Sequence, residues 1–282
     1  MENKRPFKTI YTCFPQGKHK VLTMSYDDGK IFDRKLIEIF NKYGIKGTFH
    51  LNTGIMPVDE DRIQLSEVKE LYKGHEVSCH TSTHPTIERC PLDQVVQQVI
   101  EDRKALEDAV GYPVRGLSYP NGSYSKDIIN LLPACGIDTV VLSEVRTILH
   151  FPTTSLNGNL PVTTVTTLCR MQNVFADLHK TQYLYMMYVW GHSYEFDRDN
   201  SWDLIEGFCK FIGGRDDIWY ATNIEIVDYM NAAKNLKYTA KGDRVTILTQ
   251  YLYGLKLTVN ITKSNRENLK KYDGKRTFSS CA

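Results

Sequence analysis

The sequence has no run of about twenty consecutive apolar residues of the kind a membrane helix needs, and no low-complexity block. A net charge of only +2 gives no reason to expect nucleic acid or an anionic membrane as a partner. Met1–Lys20 is rich in Lys and Arg but lacks the apolar stretch and small-residue cleavage site of a secretory leader, which predicts a cytoplasmic location. Disulfides are also weakly signalled. Seven cysteines, an odd number without regular spacing, read as free thiols in a reducing compartment.

What is present is a chain of 282 residues, 41% hydrophobic and 24% charged, enough for one sizeable core. Short apolar runs of the strand type occur at Val21–Tyr26, Gly47–Leu51, Glu76–Cys79, Arg115–Tyr119, Thr139–Leu142, Leu184–Trp190 and Ile218–Ala221. Helical spacing lies between them. Leu92, Val95, Val96, Val99, Ile100 and Leu106 share one face before Gly111 and Pro113, and Leu36, Ile39, Phe40 and Tyr43 do so before Gly44. Near-continuous apolar strands alternating with helices predict an α/β fold with a parallel sheet covered on both sides. A barrel is the natural closure for seven units, and an open doubly wound sheet also accommodates them. Val145–Lys180 reads as a long loop to about Thr164 and then a helix. After residue 235 the pattern becomes alternating, with Leu255, Leu257, Val259 and Ile261 on one side of a strand, and ten Lys/Arg stand against three Asp/Glu. The expected organisation is a barrel over 1–235 and a small β appendage with a basic, solvated tail over 236–282.

Active sites in parallel α/β folds gather at the C-terminal ends of the strands. Four predicted ends carry groups suited to chemistry: Asp27-Asp28-Gly29, His80-Thr81-Ser82-Thr83-His84, Tyr119-Pro120-Asn121-Gly122 and Gly191-His192-Ser193-Tyr194-Glu195. Singly, each has a bland reading: Asp-Asp-Gly is a common turn, and His192 suits a hydrogen-bonded core position. The i, i+4 pair His80 and His84 brings two imidazoles to one side. Together with a carboxylate from the first strand end, they make a three-ligand site that leaves positions open for water and substrate, as a catalytic metal requires. One divalent ion is expected, zinc first, with cobalt, nickel or manganese as alternatives. Cys79 precedes His80 on an alternating strand and should point away. Tyr119, Asn121 and Trp190 are candidate substrate contacts at the same rim.

These residues resemble the polysaccharide deacetylase family, the NodB-like group of carbohydrate esterase family four. Ser25-Tyr26-Asp27-Asp28-Gly29 is similar to its first motif and His80–His84 to its second, while Val189–Phe196 is similar to its late histidine motif in the form found in members without a secretion signal. The resemblance implies a distorted (β/α)7 barrel, with Asp28, His80 and His84 as metal ligands, Asp27 as general base and His192 as general acid. It further implies a small-molecule N-acylated substrate, a sugar by preference. The alternatives are a hydrolase of a small non-sugar amide on the same site and a sugar-binding protein without turnover; Asp27 argues against the second, since binding needs no base. Two features depart from the family pattern. Ser118 stands where an Arg is expected, with Arg115 three residues upstream, and the motif that supplies an acidic partner to the histidine is not recognisable in Val145–Lys180.

Overall fold

The computed structural model of the chain describes residues 8–141, 148–151, 154–155, 165–241, 244–248 and 258–263, with side chains described over 12–138 and 171–239. In order the elements are β1 (Lys8–Cys13), β2 (Lys20–Asp27), α1 (Asp33–Tyr43), β3 (Gly47–Leu51), α2 (Leu65–Leu71), β4 (Glu76–Cys79), α3 (Leu92–Val110), β5 (Gly116–Ser118), α4 (Lys126–Leu131), β6 (Thr139–Val141), β7 (Ile148–Phe151), β8 (Thr154–Ser155), α5 (Val165–Asp177), β9 (Leu184–His192), α6 (Ser193–Arg198), α7 (Trp202–Ile212), β10 (Ile218–Tyr220), α8 (Asn223–Lys234), β11 (Lys237–Lys241), β12 (Arg244–Leu248) and β13 (Thr258–Lys263). The helices form where apolar residues recur on one face. Val95, Val99, Leu106 and Val110 are buried along α3, which ends at the left-handed Gly111 (φ 81°). Leu92, placed on the same face by its spacing, is instead exposed at the helix start.

One nine-stranded sheet runs in the order β6-β5-β4-β3-β2-β9-β7-β8, with β10 also paired to β2. Strands β2, β3, β4, β5, β6, β9 and β10 are linked by parallel pairings and correspond to the seven apolar runs of the sequence. Two strands lie in the stretch expected to be a loop. β7 pairs antiparallel with β9, and β8 with β7. The reason is legible afterwards: Ile148–Phe151 has three apolar residues interrupted by His150 and is stopped by Pro152, too short to stand out by periodicity but long enough to add to an existing edge. The helix expected next is α5. In the tail, β11 and β12 form a hairpin, while β13, which contains Val259 and Ile261, pairs antiparallel with β1. Leu142, Leu255 and Leu257 lie outside the described residues.

Alternation along each strand separates two environments. On β2, Leu22, Met24 and Tyr26 enter the main core beneath the helices, with Phe40, Phe49 and Val77. Their neighbours on β2 face the other way and are polar above Val21. Thr23 donates to Asn223 at 2.8 Å and Ser25 Oγ meets His50 Nε2 at 2.8 Å. Below them a smaller apolar cluster of Phe14, Val21, Met186, Tyr188, Ile226 and Tyr229 closes the floor. The sheet is strongly curled. β2 and β5 are three strands apart, about 14 Å in a flat sheet, yet Ser118 Oγ on β5 lies 2.9 Å from Asp27 Oδ1 on β2. The polar residues therefore line the inside of a curved wall, and the strand ends converge on its rim.

Candidate functional site

Asp27 is the last residue of β2, and the chain then turns sharply through Asp28 (φ 82°) and Gly29 (φ 60°). Gly29 is required on two counts: its left-handed backbone, and the 2.7 Å at which an added Cβ would meet Leu51 Cδ2. The end of β4 carries similar backbone features, with positive φ at Thr81 (65°) and His84 (57°). Non-glycine residues in this region cost free energy and are kept where surrounding contacts over-determine them.

Those contacts are a buried frame of three residues. Asn52, just beyond β3, donates its amide to the His80 and Thr81 carbonyls at 2.6 and 2.9 Å. Its Oδ1 accepts from Arg62 at 2.9 Å, and Arg62 also donates to the Asp28 carbonyl. Asp102 of α3 accepts from the His80 backbone N–H at 3.0 Å and from both the N–H and hydroxyl of Thr53 at 2.8 Å. Burial pushes the Asp102 carboxyl up to about 6, against the pull of these hydrogen bonds.

Beside this frame, Asp27, Asp28, His80, His84 and His192 meet on one rim. Asp28 Oδ1 lies 3.6 Å from His84 Nε2 and 3.9 Å from His80 Nε2, and the ligand atoms of these three residues all lie within 4.8 Å of one another. A tetrahedral ion with bonds of about 2.0–2.1 Å needs ligand atoms roughly 3.4 Å apart. The two imidazole nitrogens and one carboxylate oxygen therefore fit a divalent ion in donor type and nearly in spacing. Asp27 Oδ2 is 3.9 Å from His80 Nε2, and His192 Nε2 is 3.9 Å from Asp28 Oδ2. Cys79 points into the core, as alternation predicts, and burial raises its thiol.

The electrostatics separate the two groups flanking this cluster. Burial pushes the Asp27 carboxyl up, but His80, His50, His192 and the Ser118 hydroxyl outweigh it and hold Asp27 below the ordinary carboxylate range. Burial lowers His192, but the adjacent Glu195 and the two aspartates carry it above the ordinary histidine value. Glu195 Oε1 stands 3.6 Å from His192 Nδ1, an ion-pair distance, and Glu195 Oε2 accepts from the His192 backbone N–H at 3.3 Å as the capping residue of α6. His50, packed beneath Asp27, is depressed to about 4 by burial and is neutral at neutral pH.

Arg115 is directed away from the site, holding Asp228 through both guanidinium nitrogens at 2.7 and 3.0 Å and Asp138 at 3.0 Å. Tyr119 is buried and stacks on Tyr124 with ring centroids 5.3 Å apart. Asn121 is exposed and donates to Thr86 at 3.2 Å. Trp190 is half-buried beside His192, ring to ring at 6.5 Å, and Tyr194 lies over the same imidazole at 5.2 Å. Sequence reasoning assigned no role to Glu195, Arg62, Asn52 or Asp102. Glu195 had a usable signal, three residues after a histidine at a helix start; the other three sit at unremarkable positions of a loop, a strand end and a helix.

A curled, mainly parallel sheet with a two-histidine, one-carboxylate cluster at its strand ends defines the class: an α/β barrel with a group of side chains at its rim that could hold a metal ion. Comparison points to a family. Residues 15–140 match the family model described as Polysaccharide deacetylase, in agreement with the resemblance read from the motifs. The chain is 29% identical over 120 residues to a chitooligosaccharide deacetylase of Sinorhizobium fredii, covering 42% of this chain and 54% of that protein. It is 23% identical over 117 residues to the peptidoglycan-N-acetylglucosamine deacetylase PgdA of Listeria monocytogenes, covering 40% of this chain and 24% of that one. The match thus spans about half, or less, of the length of these relatives. In fold, the chain is similar to the chitin deacetylase of Colletotrichum lindemuthianum, with a TM-score of 0.51 at 20% identity over 74% of this chain and 87% of that one. The distorted barrel expected from the motifs is the fold this chain has.

Proposed function

We propose that this chain is a metal-dependent N-deacetylase, acting on an N-acetylated sugar with Asp27 as base and His192 as acid. The observation that carries this reading is the convergence of Asp28, His80 and His84 with both flanking groups on one rim. Relatives that act on chitooligosaccharide and on peptidoglycan N-acetylglucosamine support the substrate class.

Asp28, His80 and His84 would hold one divalent ion, zinc ahead of cobalt, nickel or manganese, and when bound it would supply Lewis-acid polarisation of the acyl group and acidify a water. Asp27 accepts the Ser118 hydroxyl on Oδ1, which leaves Oδ2 to take the proton of the attacking water. Its low pKa keeps it ionised for that task. His192 holds a proton at Nε2, the nitrogen facing Asp28, while Nδ1 faces Glu195. That proton passes to the departing amine nitrogen, without which an amide is a poor leaving group; general acid help of this kind is worth about 10²–10⁴-fold. The amide and one water become a carboxylate and a protonated amine. Trp190 and Tyr194, flanking the imidazole, are the aromatic surfaces against which a sugar ring would pack.

The test is metal analysis together with turnover. His80→Ala and His84→Ala should each lose stoichiometric zinc, and acetate release from N-acetylglucosamine oligomers should fall to background. Full metal occupancy in both variants contradicts the ligand assignment.

A further inference from the structure

We propose that Ser118 is a positioning residue whose single hydroxyl both orients the base Asp27 and fixes the tautomer of the metal ligand His80. The inference rests on the reading of the site given above. Ser118 ends β5 on the inner face and is 2% exposed. Its Oγ lies 2.9 Å from Asp27 Oδ1 and 2.6 Å from His80 Nδ1, and its own carbonyl lies 2.9 Å from the same Nδ1.

The hydrogen count leaves one solution. A hydroxyl has one proton to donate, and an ionised carboxylate only accepts. The Ser118 proton therefore goes to Asp27. His80 Nδ1 must then be the N–H, shared between the Ser118 hydroxyl and carbonyl oxygens, which both accept. His80 Nε2 is left with its lone pair directed at the Asp28 side, the form a metal ligand needs. The nearest arginine in sequence, Arg115, is occupied by Asp138 and Asp228, so a neutral hydroxyl orients the base and ties it to the metal ligand.

Three readouts test this: zinc affinity by competition with a chelator, kcat and KM for acetate release, and nitrogen NMR of the histidine rings in the metal-free wild type, with His80 assigned by its loss in His80→Gln. Ser118→Ala should weaken zinc binding by about 10–100-fold and lower kcat by about 10–100-fold, with KM changed by less than about threefold. Ser118→Thr, which keeps the hydroxyl, should restore both. The wild-type spectrum at neutral pH should show His80 as the Nδ1–H tautomer. An Nε2–H tautomer overturns the proposal, as does a Ser118→Ala protein with affinity and kcat within about twofold of wild type. Should the wild type release no acetate, the functional reading fails separately, because the tautomer is read without metal or substrate.

Discussion

Glu195 governs how long His192 keeps its proton. Its carboxylate is the largest influence opposing burial of that imidazole, and is itself held below its ordinary range by the same contact. As the proposed acid, His192 must be protonated, so activity is expected to fall on the alkaline side as pH rises through its pKa. Glu195→Gln removes the charge that raises this pKa. The alkaline limb of kcat/KM should move toward lower pH, while zinc stoichiometry stays unchanged. A limb that does not move would assign Glu195 to capping α6 alone. That Asp28, His80, His84 and His192 come together was readable, because each stands at or just beyond a strand end on the same side of a parallel sheet. Ser118 and Glu195 were not, because their roles depend on which neighbour a curled sheet brings within reach.

Between strand and helix, the inner polar layer sets the pH response of the fold. Glu76 on β4 accepts from Thr48 and from the backbone N–H of Ile224, in the first turn of α8, each at 2.9 Å. The start of α8 is thus satisfied by side chains from the sheet, with Asn223 N–H donating to Thr48 Oγ1 at 2.9 Å. Burial raises the Glu76 carboxyl from 4.5 to about 7. The folded state therefore holds this proton more tightly than the unfolded chain does. The stabilisation is complete below about pH 4.5 and is lost as pH rises through about 7. Asp33, raised to about 7, and Asp102, raised to about 6, act in the same direction. His50 and His75, each lowered to about 4, act oppositely, contributing stability above their ordinary value of 6.5 that is lost as pH falls toward 4. Glu76→Gln should flatten the decline in melting temperature between about pH 5 and pH 8, a change of about 2–4 °C for each kcal/mol involved. Superimposable profiles for variant and wild type would show that Glu76 shares no proton with the folding equilibrium. The helices and parallel strands were legible from periodicity. β7 was not, because three apolar residues around His150, beside a proline, carry no period of their own.

For the molecule as a whole, curvature turns an ordinary α/β alternation into a site. The sheet order alone would leave β2 and β5 far apart; the contact between Asp27 and Ser118 shows how strongly the wall curls. No helix among the described residues is long and apolar enough to cross a membrane. Cys79, Cys90, Cys135 and Cys209 form no disulfide, in keeping with the free thiols expected from their spacing. The α/β class and the rim residues were visible in the sequence, since parallel strands put their C-terminal ends on one side whatever the details of closure. How tightly the sheet curls was not, because it depends on packing between residues far apart in the chain. The proposed function depends most on Asp27 acting on a water beside a metal ion held by its neighbours. The most direct measurement is acetate release from N-acetylglucosamine oligomers by zinc-loaded wild type and Asp27→Asn, each with its metal content determined. The account predicts equal stoichiometric zinc in both proteins, with kcat lower by at least about 10²-fold in Asp27→Asn. Equal turnover by the two proteins, at equal zinc content, would contradict it.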